Sequence, residues 1–285
     1  MTANQILSAS HTEPIISLRD LRVNYGEREI LHGINFNVVQ GETLVILGRS
    51  GSGKSTLLRT LVGLQKPSGG QIRVMGRDLA KVSASEMDEI RTKIGMSFQD
   101  GALFGSMTVG ENVALPLREH TQLEDSTIEI VLRIKLEQVG LAGFEYYLPS
   151  QLSGGMKKRA AVARALAMDP EILFFDEPSA GLDPIIAAGI DQLILQLKRA
   201  FRMTIIVVTH ELASAFLIAD RMILIDKGSV AAGGTPEEMR SSTQPTVRQF
   251  LDRVADPEIS AELDYLQTLT AKRPAAEERE TTDAT

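Results

Sequence analysis

The chain has 285 residues, enough for one large domain or two small ones. Hydrophobic residues make up 43% and charged residues 24%, which excludes global disorder. Thirty Lys and Arg against 37 Asp and Glu leave a net charge of −7, which argues against nucleic acid as a partner, and the absence of cysteine excludes disulfide frameworks and thiol-based sites.

Residues 1–14 are polar and unpatterned and read as a flexible N-terminus. Ile16, Leu18, Leu21, Val23 and Tyr25 suggest a strand, and Ile34, Phe36 and Val38 alternate as a half-buried strand does. Gly69–Gly70 with Ile72 and Val74 reads as another edge strand. These pieces predict an antiparallel portion beside a parallel core. Thr43–Leu47 is a short apolar run ending at Gly48, and Leu57, Leu58, Leu61 and Leu64 follow at helical spacing. From about Asp100 to Pro149 strand signals are scarce, and Val131, Leu132, Leu136 and Val139 form a helical stripe. This stretch reads as a helical insertion. Alternating order resumes with Ile172–Phe175, a helix carrying Ile186, Ile190, Leu193 and Leu197, and the strands Thr204–Val208 and Met222–Ile225. Gly233–Gly234 before Thr235-Pro236 reads as a turn and a helix start. Val247, Phe250, Leu251 and Val254 share one helix face, and Ile259, Leu263 and Leu266 share another; each stripe needs a partner surface. Ala271–Thr285 is charged and reads as a disordered tail.

The longest apolar runs are strand-sized, far below the roughly 20 residues that cross a bilayer. Met1–Ser10 has no basic stretch followed by an apolar one, so no signal peptide is expected. The expectation is a cytoplasmic protein that reaches a membrane only through partners.

The most specific motif is Gly48-Arg49-Ser50-Gly51-Ser52-Gly53-Lys54-Ser55-Thr56. It matches the phosphate-binding loop G-x-x-x-x-G-K-[ST] in its required strand–loop–helix setting. Glycines let successive backbone N–H groups face phosphate oxygens, and the helix N-terminus adds positive partial charge. Lys54 supplies a cation for the terminal phosphates, and Ser55 offers a hydroxyl to Mg²⁺. Further on, Ile172–Phe175 ends in Asp176-Glu177. Asp176 suits Mg²⁺, and Glu177 suits the orientation or deprotonation of an attacking water. Taken alone, such a pair is equally a solvated strand terminus.

Leu152-Ser153-Gly154-Gly155-Met156 opens an Ala-rich helix just upstream of the Asp-Glu strand. By itself Ser-Gly-Gly before a helix is only a cap. In this order with the other motifs, residues 16–240 resemble the ATP-binding subunits of ABC transporters. The resemblance implies an α/β P-loop NTPase fold with a RecA-like core, an antiparallel β subdomain and a helical subdomain at about residues 100–165. It implies an ATPase domain over residues 15–243, a C-terminal helical extension over 244–270 and a tail over 271–285. It further implies that Tyr25 stacks on adenine and that Gln99 contacts Mg²⁺ and the attacking water. Ser179–Asp183 would be the loop crossing a dimer interface, with Asp183 at the nucleotide, and His210 would be the switch histidine. Two copies would sandwich two ATPs, each between residues 48–56 of one copy and Ser153, Gly154 and Gly155 of the other. Met156 stands where the family usually has Gln, so that side chain's hydrogen bonds are lost. Lys157, Lys158 and Arg159 then read as a solvated basic face or as added charge toward the nucleotide.

The insertion text, Gly95–Phe104 and Glu111–Thr121, resembles the ATPases of Mla phospholipid-transport systems and their Mce-associated relatives, which share the Ser-Gly-Gly-Met variant. Val247–Asp256 resembles the same group. This implies phospholipid as cargo, a MlaE-like permease, an Mce-domain lipid-binding subunit, a small STAS-domain protein and a peripheral place on the cytoplasmic face of the inner membrane. Leu103 and Phe104 would line the groove that receives the permease, or else are ordinary core residues. The alternatives are an ABC ATPase for another cargo, or a non-transport ABC ATPase.

Overall fold

The computed structural model describes residues 13–254. The chain divides between Ser242 and Thr243 into two compact units. The expected stripe at Ile259, Leu263 and Leu266, the tail 271–285 and residues 1–12 lie outside the described residues.

The first unit holds two sheets. One is antiparallel and contains β1 (Ile16–Tyr25), β2 (Arg28–Val38), β4 (Gly69–Val74) and β5 (Arg77–Asp78), in the order β2-β1-β4-β5. Its register pairs Ile16 with Val38 and Leu18 with Phe36, so alternate side chains of both strands face one core. The second sheet contains β3 (Thr43–Gly48), β6 (Ile94–Ser97), β7 (Ile172–Asp176), β8 (Thr204–Val208), β9 (Arg221–Asp226) and β10 (Ser229–Gly234), ordered β10-β9-β3-β8-β7-β6. The run from β9 to β6 is parallel and only β10 pairs antiparallel. Every residue of β3 and β8 is buried, as central parallel strands covered on both faces require.

The helices are α1 (Lys54–Leu61), α2 (Ala84–Thr92), α3 (Val109–His120), α4 (Asp125–Gln138), α5 (Gly154–Ala165), α6 (Pro184–Phe201), α7 (Leu212–Ile218) and α8 (Pro236–Ser241). The second unit contributes α9 (Pro245–Leu251). Helices α3, α4 and α5 pack together as the helical insertion. Buried Asn112 on α3 shapes the loop before it. Its side chain accepts from Phe104 N at 2.8 Å and donates to Phe104 O at 3.1 Å and Met107 O at 3.2 Å.

Several expectations need correction. Leu64 lies past the end of α1 and is exposed, so it is not part of that helix's stripe. Gly233 and Gly234 are not a turn; they end β10, paired with Ile223 and Met222. Val254 lies beyond α9. Phe104 is 51% exposed, so it is not a core residue. Helix α2 and strand β6 went unassigned from the sequence. Helix α2 buries only Ile90, and its signal was the capping box of Ser83 and Glu86.

The fold brings three strand ends together. Asp176 pairs with Val208, and Ile46, two residues before Gly48, pairs with Val208 from the other side. The loops after β3, β7 and β8 therefore leave one edge of the parallel sheet, where open α/β sheets bind ligands.

Candidate nucleotide site

The loop from Gly48 to Thr56 joins β3 to α1. Its last glycine, Gly53, is the N-cap of α1 and offers no side-chain acceptor. The first N–H groups of the helix are thus left for an external anion. Nζ of Lys54 turns back on its own loop and donates to Gly48 O at 2.8 Å and Arg49 O at 3.0 Å. Burial lowers the pKa of that ammonium, and the charges of Glu177 and Asp176 oppose the shift. Ser52 Oγ is buried with no protein partner among the described residues. A loop with open N–H groups, a buried cation and an orphaned hydroxyl fits a phosphate chain.

Asp176 ends β7 half-buried. Burial raises its pKa and neighbouring Glu177 adds to the rise, while Lys54, Arg59 and Lys158 work against it. No cation lies within ion-pair distance of it among the described residues, and no cluster of three or more His, Cys, Asp or Glu could form a protein-only metal cage there. A lone carboxylate beside a phosphate loop is the donor set that suits Mg²⁺, which takes one or two protein oxygens and fills the rest with phosphate and water. Ser55, Asp176 and Gln99 are the residues that would hold it.

Glu177 is 9% exposed and sits at φ +46°, a left-handed conformation that a non-glycine residue adopts only when its surroundings hold it. Its N–H donates to Val208 O at 2.8 Å. Its Oε2 accepts from Thr209 Oγ1 at 3.1 Å, His210 N at 3.3 Å and His210 Nδ1 at 2.9 Å. The structure thus joins His210 directly to Glu177. Tyr25 stands 44% exposed at the end of β1. Gln99 is exposed just past β6.

Ser153 caps α5, its Oγ accepting from Met156 N at 3.3 Å. Gly155 lies against α6: a Cβ there would come 2.4 Å from Ile186 Cγ2. Asp183 caps α6, its Oδ1 accepting from the N–H groups of Ile185 and Ile186 at 3.0 Å each. Sequence reasoning expected this aspartate at the nucleotide; its helix cap was not foreseen. The basic run after Met156 is also not one solvated face. Lys158 is buried and donates to backbone carbonyls of Gln99 and Glu177.

Residues 31–180 match the family model described as ABC transporter. A Mycobacterium leprae protein described as a probable ribonucleotide transport ATP-binding protein, mkl, is 43% identical over 237 residues, covering 83% of this chain and 68% of that one. The intermembrane phospholipid transport system ATP-binding protein MlaF of Haemophilus influenzae is 42% identical over 242 residues, 85% of this chain and 92% of that one. A dimeric structure of the ATP-binding cassette MJ0796 in a post-hydrolysis state, bound to ADP and phosphate, superposes with a TM-score of 0.71 at 32% identity, covering 78% of this chain and 98% of that one. With the phosphate loop, the Asp-Glu strand end and the Ser-Gly-Gly helix start on one sheet framework, the chain belongs to the ABC transporter family as one of its ATP-hydrolysing cassettes.

Proposed function

We propose that this chain is the ATPase subunit of a membrane transporter that moves phospholipid between the inner and outer membranes, as in Mla and Mce-type systems. The observation that carries this reading is the identity of 42% across 92% of a phospholipid-transport ATP-binding protein. Two copies bind two ATPs between them, which the dimeric cassette at 32% identity supports.

In each site the N–H groups of residues 49–56 and the ammonium of Lys54 hold the phosphates, and Tyr25 carries the adenine. Mg²⁺, when bound, neutralises charge on the phosphate oxygens. Ser55, Asp176 and Gln99 are the residues that would hold it. Glu177 keeps Oε2 anchored, and Oε1 takes the proton of the attacking water. His210 fixes that carboxylate through Nδ1 and leaves Nε2 to face the phosphate. Ser153, Gly154 and Gly155 of the second copy add donors from the start of α5, with Asp183 on the adjoining loop. ATP is then a bridge between copies, and loss of its last phosphate weakens the bridge.

No described helix is long and apolar enough to cross a membrane. Attachment is to a MlaE-like permease on the cytoplasmic face of the inner membrane, seated at Gln99–Phe104, where Phe104 is exposed and Asn112 holds the loop. An Mce-domain subunit and a STAS-domain protein complete the assembly. The mycobacterial relative's name gives a second cargo, ribonucleotide, at similar identity but over 68% of that protein. Copurification from membranes with the permease, followed by extraction and mass spectrometry, separates the two. Phospholipid bound to the complex is the expected result, and a phospholipid-free complex overturns the lipid reading.

A further inference from the structure

Lys158 is buried, and its Nζ donates both to the carbonyl of Gln99 and, at 3.3 Å, to the carbonyl of Glu177. Burial lowers its pKa, while the charges of Asp100, Asp176 and Glu177 oppose the shift. No carboxylate pairs with it directly among the described residues. A buried ammonium held by neutral oxygens is costly compared with an apolar side chain of the same length. A role in placing the two carbonyls accounts for that cost.

The same helix holds the same loop a second time. Arg164, also lowered in pKa by burial, donates to Ala102 O at 2.7 Å and Gly101 O at 2.9 Å. Between the two cations Gly101 lies against Ala161, where an added Cβ would stand 3.4 Å from the alanine's Cβ. The loop from Gln99 to Ala102 is therefore fastened along α5. That helix starts at Gly154, one turn before Lys158.

We propose that Lys158 is a positioning residue that couples the two nucleotide sites. It rests on the shared-site reading above, in which Gln99 and Glu177 serve one ATP and the start of the same α5 serves the other. Seating of residues 153–155 on the partner's nucleotide then sets the position of Gln99 and Glu177 through one side chain. The coupling is physical, a helix with two attached ends, and needs no longer pathway.

The test uses the full-length chain and its ATP concentration dependence of hydrolysis. Lys158→Met keeps the stem and removes the donors; Lys158→Arg keeps charge and donors. The expected result for Lys158→Met is a kcat lower by about tenfold or more, with KM within about twofold and cooperativity in ATP lost, since misplacement near 1 Å is enough for such a loss. Lys158→Arg should restore most of kcat and the cooperativity. Unchanged kcat and cooperativity in Lys158→Met overturn the proposal, and so does a parallel loss of nucleotide affinity in both variants, which marks a merely structural lysine. ATP-induced dimerisation of Glu177→Gln with Lys158 intact tests the shared site separately. Absence of that dimer overturns the shared-site reading and the coupling with it; a dimer combined with unaltered cooperativity in Lys158→Met overturns the coupling alone.

Discussion

Oε2 of Glu177 lies 2.9 Å from Nδ1 of His210, and both other donors to this carboxylate reach the same oxygen. A carboxylate only accepts, so Nδ1 carries the proton, and Nε2 lies 3.8 Å from Oε1 of Glu211. Oε1 of Glu177 takes none of the three bonds. One oxygen is anchored and the other is left free of these donors.

Glu177→Gln preserves this anchorage, because the amide oxygen accepts from the same donors while the NH₂ group replaces Oε1. ATP affinity should stay near that of the parent chain. Turnover should fall by about 100-fold or more, the scale of a lost general base. Near-normal phosphate release from the variant would remove Glu177 from that role.

Lys54→Ala removes an ammonium that, among the described residues, bonds only the loop's own carbonyls. Affinity for ATP should drop by about 10-fold to 100-fold, as expected for lost charge-assisted bonds of about 1.5–3 kcal/mol. Equilibrium binding of a fluorescent ATP analogue measures it, and unchanged affinity would refute the phosphate-loop assignment.

Ser153→Arg places a long cation at the exposed start of α5. A single chain should still bind ATP, because its own phosphate loop is untouched. Hydrolysis should fail, and mixed dimers with Lys54→Ala chains should regain one working site, because both lesions then fall in the same site and leave the other intact. Mixed dimers that behave as simple averages count against a site shared between copies.

Gly155→Ala drives a methyl into Ile186, whose Cγ2 would be 2.4 Å away and is too close to its own backbone to swing aside. The overpacking should cost about 1–3 kcal/mol. Tm should fall by about 2–4 °C per kcal/mol for a domain of this size. Adding Ile186→Ala should recover most of the loss, and a double variant no better than Gly155→Ala would deny the contact.

Asp191 is buried on α6 and accepts from Ser214 Oγ at 2.8 Å, while its Oδ1 has no partner among the described residues. Burial raises its pKa. The folded chain therefore binds that proton more tightly than the unfolded chain does. That contribution to stability is complete below the unfolded pKa and is lost as pH rises through the folded one. At neutral pH Asp191→Asn should raise Tm by about 2–4 °C for each kcal/mol of relieved burial. The gain should shrink on acidification toward about pH 4, near the ordinary carboxylate value. A gain that does not change with pH would show that the carboxylate's charge is not the cause.

The phosphate loop, the Asp-Glu strand end and the Ser-Gly-Gly start were legible because each is a local backbone pattern with few chemical uses. Lys158 was not. Three cations in a row look alike in sequence, and only the packing of residues 99–102 along α5 separates Lys158 from its neighbours. The paired glycines at 233–234 misled for a related reason. An edge strand tolerates glycine, here where a Cβ on Gly234 would meet Glu238, so composition alone points to a turn.

The turn between β9 and β10 has a wider effect. Gly228 O accepts from His32 N of β2 at 2.8 Å, and Gly228 N donates to Ser52 O in the phosphate loop at 3.0 Å. No side chain fits at Gly228, since a Cβ would lie 2.2 Å from Ile30 O. One residue therefore rivets the antiparallel sheet, the parallel sheet and the phosphate loop at a common point. If Tyr25 carries the adenine, the span from base to phosphate is a fixed gauge.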